Sequence, residues 1–125
     1  MARSTPYLPK VKVMNYTEAQ KKVIATRDRN LLVIAIAGCG KSECVAMRIV
    51  RLISEGVQPR NIVAFTFTEK AAAELKSRIR QRITEHIGEC IGLPDMFIGT
   101  IHGFCLRLLQ EHVPRYLKYT ILSGV

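Results

Sequence analysis

Residues 35–42 read AIAGCGKS, which fits the spacing [AG]-x4-G-K-[ST]. Those residue types in that order suit a phosphate. Gly38 and Gly40 permit the backbone turn that points several N–H groups inward, and they leave room for close approach. A helix starting at Lys41 directs its positive dipole end at the same anion. Lys41 supplies a mobile cation for the outer phosphates, and Ser42 a hydroxyl for Mg²⁺. Ala37 and Cys39 complete the candidate loop. A thiol at a helix N-terminus beside a lysine is expected to have a lowered pKa, although a small residue filling a small space is the simpler role for Cys39.

Four other residue groups carry possible chemistry. Gln20 offers an amide donor and acceptor together, the pair an adenine edge needs, and its local role is helix capping. Phe67 follows an apolar run at what reads as a strand's C-terminal end, where a ring can stack a base without reading sequence. Thr66, Thr68 and Thr100 hold hydroxyls able to bond phosphate oxygens. Lys70, Lys76, Arg78, Arg80 and Arg82 lie on one helical segment and add positive potential, or form a solvated face. His86 and Cys90 stand four apart as helical metal ligands do, but no second pair accompanies them.

The elements that must place these groups follow from periodicity. Thr17 and Gln20 form a capping box opening a short helix with Ala19, Val23 and Ile24 on its apolar side. Residues 31–37 are an apolar run without alternation, the pattern of a strand buried on both faces. Lys41 to Glu55 repeats Val45, Ile49, Leu52 and Ile53 at helical spacing. Residues 61–67 read as a second strand. Residues 69–88 read as a long helix with Ala72, Leu75, Ile79 and Ile83 on one stripe. Residues 96–100 read as a third strand, 102–112 as another helix, and 119–125 as the start of a fourth strand. Strands alternating with helices predict an α/β fold with a parallel sheet and helical crossovers.

The chain has 125 residues, which allows one domain. Its 48% hydrophobic content excludes a disordered chain. Nineteen basic against ten acidic residues leave a net charge of +9, which favours a polyanionic partner, nucleic acid first. No apolar run approaches a membrane span, so no membrane partner is expected. Four cysteines without a C-x-x-C pair read as reduced thiols. These features point to a cytoplasmic compartment, with the nucleus left open.

YTEAQKKVI, AIAGCGKS, IVAFTFTEKAAAELKSRI and GTIHGFCLRLL, in this order and at these spacings, resemble the N-terminal portion of the UvrD/RecB-type superfamily 1 DNA helicases. The resemblance covers about residues 15–110. It implies a partial P-loop NTPase (RecA-like) domain over 15–125, preceded by an extension at 1–14. It implies ATP and Mg²⁺ as cofactors and single-stranded DNA as partner. Gln20 matches the glutamine that reads adenine. Gly38, Gly40, Lys41 and Ser42 match the triphosphate loop. Thr66, Phe67 and Thr68 match one DNA-contacting motif, and Thr100 and His102 a second. Two positions depart from the pattern. Many relatives carry asparagine where Glu69 stands, and some carry arginine where Glu43 stands, so neither contact is carried over.

The resemblance also implies parts not found in these 125 residues: an acidic strand-end pair for Mg²⁺ and water, later arginines, and a second motor domain. Phosphoryl transfer needs charge stabilisation from several sides. The expectation is therefore an ATP-dependent DNA helicase segment with little or no ATPase by itself. The 125 residues read as a truncated frame, one half of a split gene or an excerpt, and in the split case a second chain carrying the remaining motifs would complete the motor. The rival readings are a non-catalytic ATP- or single-stranded-DNA-binding fragment and a different P-loop enzyme, such as a small-molecule kinase.

Overall fold

The computed structural model of the chain describes residues 15–36 and 40–120. Its regular elements are α1 (Glu18–Ala25), α2 (Lys41–Ser54), β1 (Val63–Thr66), α3 (Glu69–His86), β2 (Phe97–Thr100) and α4 (Ile101–His112), with three short 3₁₀ turns between or after them. β1 and β2 pair in parallel, in the register Val63↔Phe97 to Thr66↔Thr100. A parallel pair needs a crossover, and α3 provides it.

Local signals decide most boundaries. Thr17 Oγ1 accepts from Gln20 N at 3.2 Å while Gln20 Oε1 accepts from Thr17 N at 2.9 Å, so the capping box forms as expected. Thr68 caps α3 by accepting from Ala71 N, and Thr100 caps α4 by accepting from Gly103 N. α2 ends at Ser54, and Gly56 follows at φ 101°.

The core lies between α2, α3 and the sheet. Ala46, Ile49 and Val50 from α2 meet Leu75, Ile79 and Ile83 from α3, with Ile62, Met96 and Ile98 closing the space. α1 is fastened to α2 by polar contacts. Arg48 donates 2.6 Å hydrogen bonds to the carbonyls of Val23 and Thr26, satisfying orphan acceptors at α1's C-terminus, and Arg27 pairs with Glu55.

The run at 31–37 does not form the buried strand its composition predicts. Among its described residues, 31–36, there is no ladder, and Leu32 and Ile34 are 88% and 89% exposed. A strand needs a paired neighbour on at least one edge and a covering layer on its apolar faces. The only ladder among the described residues joins β1 to β2. The expected fourth strand lies almost wholly outside the described residues.

On the α4 side of the sheet, Phe65, Phe97 and Phe104 pack with ring centroids 5.0–6.3 Å apart. Gly99 makes room for them: a Cβ there would stand 2.9 Å from Phe97 Cζ. Phe97 is wedged between two other rings, so it cannot swing away freely. Gly99→Ala is expected to destabilise the fold by about 1–3 kcal/mol, seen as a lower urea midpoint at unchanged m-value.

Candidate nucleotide and nucleic-acid site

α2 begins at Gly40, whose φ of 83° is the left-handed conformation that glycine adopts without strain. No side chain caps this end, so no cap side chain occupies the first-turn N–H groups. Lys41 Nζ donates to the carbonyl of Ala35 at 3.1 Å, spanning the two ends of the candidate loop. That bond is exposed, so an anion at the loop can replace the carbonyl as acceptor. Ala37, Gly38 and Cys39 lie outside the described residues.

Gln20 stands beside this loop as well as in its capping box. A Cβ at position 40 would come within 3.1 Å of Gln20 Nε2. The candidate adenine reader and the candidate phosphate loop are therefore neighbours, although α1 and α2 are separated in sequence. This arrangement suits a nucleotide: backbone donors and a cation for the phosphates, with an amide alongside for the base.

The other candidate residues gather at the C-terminal ends of the two strands, where ligands of parallel sheets sit. Thr66 and Thr100 are register partners. Thr66 Oγ1 donates to the Thr68 carbonyl at 3.0 Å. Phe67 projects with 97% of its surface exposed, so it is not core. Thr68 and Thr100 are both helix caps, a role that the residue pattern alone did not reveal. Thr100 is buried, and its hydroxyl donates to Glu69 Oε1 at 3.3 Å, which ties the start of α3 to the end of β2. Glu69 thus has a structural task. His102 is exposed in the first turn of α4.

One cavity runs from the start of α2 to the end of β1; Gln20, Phe67, Thr68, Thr100 and His102 do not line it. It has a volume of about 390 Å³ and is lined by Lys41 and Ser42 of the loop, by Val45, Ile49 and Leu52 of α2, and by β1 up to Thr66. Its lining is mostly apolar, with Lys41, Ser42, Arg48 and Thr66 as the polar members, as binding clefts commonly are.

Glu43, next to the loop hydroxyl, is only 7% exposed. Its carboxylate accepts from Tyr16 Oη at 3.0 Å, from Arg78 Nη1 at 3.1 Å and from Arg82 Nη2 at 3.2 Å. Arg82 Nε also stands 2.8 Å from Glu43 Oε1, close enough for an ion pair but with its N–H not aligned as a hydrogen bond. Burial pushes the Glu43 carboxyl up, but the bonds from Arg82, Arg78 and Tyr16 outweigh it and hold the group below its ordinary value. Burial, with the Glu43 bond, pushes the Tyr16 phenol up to about 12. Sequence reasoning missed this cluster. A signal was present: Glu43 shares a helical stripe with the buried Met47 and Val50.

The cluster also divides the basic residues of α3. Arg78 and Arg82 turn toward Glu43, so they do not belong to a single solvated basic face. Lys76 and Arg80 line a different groove, against β2.

Known proteins share this span of sequence. The family described as UvrD/REP helicase N-terminal domain matches residues 16–120. The chain is 42% identical over 96 residues to DNA helicase II of Escherichia coli (strain K12), covering 76% of this chain and 12% of that protein. It is 39% identical over 101 residues to a probable DNA helicase of Mycoplasma pneumoniae, covering 79% of this chain and 18% of that protein. It is 38% identical over 97 residues to the ATP-dependent DNA helicase PcrA of Bacillus subtilis (strain 168), covering 77% of this chain and 12% of that protein. The chain thus spans less than a fifth of the length of each of these relatives. No helix among the described residues is long and apolar enough to cross a membrane. The matched span takes in the capping box of α1, the start of α2 and both strand ends, and on that basis the chain belongs to the UvrD/REP helicase N-terminal domain family.

Proposed function

We propose that residues 15–125 are the ATP- and single-stranded-DNA-binding segment of a UvrD-type helicase motor with a RecA-like P-loop fold. The observation that carries this reading is the shared cavity: Lys41 and Ser42 line it together with Thr66, whose register partner is Thr100. Lys41, Ser42 and the start of α2 would hold the phosphates of ATP, and the Ser42 hydroxyl would take Mg²⁺. Gln20 would meet the adenine. Phe67 would stack a base, with Thr66, Thr68, Thr100 and His102 near the strand. Bound ATP-Mg²⁺ supplies the driving force of a motor cycle. This segment's own groups bind and orient it, and among the described residues no Asp-Glu pair stands at either strand end to activate water.

The exposed apolar run at 31–36 supports one addition: further parts of the motor, on the same or another polypeptide, cover it. Residues 1–125 joined to or co-expressed with those parts are expected to show ATPase stimulated by single-stranded DNA, and residues 1–125 by themselves little or none.

Phe67→Ala tests the DNA reading. The ring makes almost no contact within the fold, so its removal is expected to leave thermal stability unchanged. Base stacking contributes about 1–3 kcal/mol per base, so affinity for an oligo-dT strand is expected to fall about 5- to 150-fold while nucleotide affinity holds. Unchanged DNA affinity in a fluorescence anisotropy titration would overturn the assignment of Phe67.

A further inference from the structure

The groove between α3, α4 and β2 lies apart from the cavity described above. It has a volume of about 340 Å³. Lys76 and Arg80 line one wall and Arg107 another, with Leu93, Met96 and Phe97 among the apolar lining. Among the described residues, no carboxylate lines it; Glu111 reaches Arg107 from outside, at 2.9 Å. Lys76 and Arg80 have no ion-pair partner among the described residues, in contrast to Arg78 and Arg82 on the same helix. Arg107 sits 5.8 Å from the centre of the Phe97 ring, which orients its guanidinium at the groove wall.

We propose that this groove is a second nucleic-acid contact, one that takes backbone phosphates and reads no bases. Three cations converge there. Lys76 and Arg80 are four residues apart, a step of about 6 Å along one face of the helix, so both can meet the same strand. The mixture of exposed cations with an apolar wall suits a strand that presents phosphates and sugars together. A nucleic-acid strand is favoured over an acidic peptide because the whole chain carries +9 and the strand-end residues already point to DNA. The proposal rests in that respect on the reading of Thr66, Phe67 and Thr100, and its test separates the two.

The test measures oligo-dT affinity of the full chain by anisotropy across a range of NaCl concentrations. The variant is Lys76→Gln with Arg80→Gln. The control is Lys22→Gln with Arg60→Gln, which removes the same charge elsewhere. Each phosphate neutralised on a single strand contributes about 0.7 to the slope of log Kd against log salt. Losing two contacts is expected to reduce the slope by about 1.4, with the control's slope unchanged. Both side chains are exposed, so thermal melts of the two variants are expected to coincide with the parent. An unchanged slope, or an equal loss in the control, overturns the groove. Loss of polyglutamate binding with oligo-dT binding intact overturns it in favour of an acidic protein partner. If Phe67→Ala is silent while Lys76→Gln/Arg80→Gln loses slope, the strand-end reading fails and the groove stands. If the parent chain does not bind oligo-dT, both fail.

Discussion

Lys41→Ala is expected to lower MgATP affinity by about 100-fold, enough to remove binding at working concentrations. A hydrogen bond from a charged donor to a charged acceptor contributes about 1.5–3 kcal/mol, and the upper end applies where one ammonium meets two phosphate groups. Among the described residues, the ammonium's partner is the Ala35 carbonyl, at an exposed position. Its loss therefore is not expected to disturb folding, and the effect is separable from stability. Titration with a fluorescent ATP analogue, alongside thermal melts, checks both halves. A Lys41→Ala chain that binds ATP like the parent would overturn the phosphate-loop reading. Lys41→Arg keeps the charge but changes its shape, and an intermediate affinity is expected.

Glu43→Ala is expected to cost about 2–4 kcal/mol of stability, the second large effect. Breaking a buried ion pair from one side leaves the other charge under-compensated, although Arg82 keeps its 2.7 Å pair with Glu85. Arg82 bears most of this, because its side chain is 14% exposed, whereas Arg78 at 44% can turn to water. The double variant Glu43→Ala with Arg82→Ala is expected to recover part of the loss, which a double-mutant cycle in urea would quantify. The pH dependence has a definite sign. A carboxyl held below its ordinary value contributes stability at neutral pH, and that contribution fades as pH falls below about 4.5 through the lowered value. Glu43→Gln is expected to be less stable at neutral pH and to show a flatter acid limb. An acid limb as steep as the parent's would remove Glu43 from this role.

The helices were legible in the sequence because their causes are local. Thr17 caps α1 by a bond three residues away, and the apolar stripes of α2 and α3 repeat at helical spacing; the caps at Thr68 and Thr100 emerged only in the structure. β1 and β2 were legible because short apolar runs lay between helices. The run at 31–36 had the same composition and formed no strand, because a ladder depends on a neighbour that composition does not supply. The candidate site was legible by motif, since its residues fall at the ends of recognisable runs. Glu43 was not, since its partners stand 27, 35 and 39 residues away in the chain. The two-residue spacing of the cations on α3 does set them on different faces, but it does not show which pair meets Glu43.

Arg48 grips the last carbonyls of α1 from the middle of α2, while Gln20 rests against Gly40 at the other end. Two rods pinned at two points behave as a single lever. A displacement of α2 therefore carries the Gln20 amide with it, so the two groups proposed for a nucleotide's ring and its tail move together.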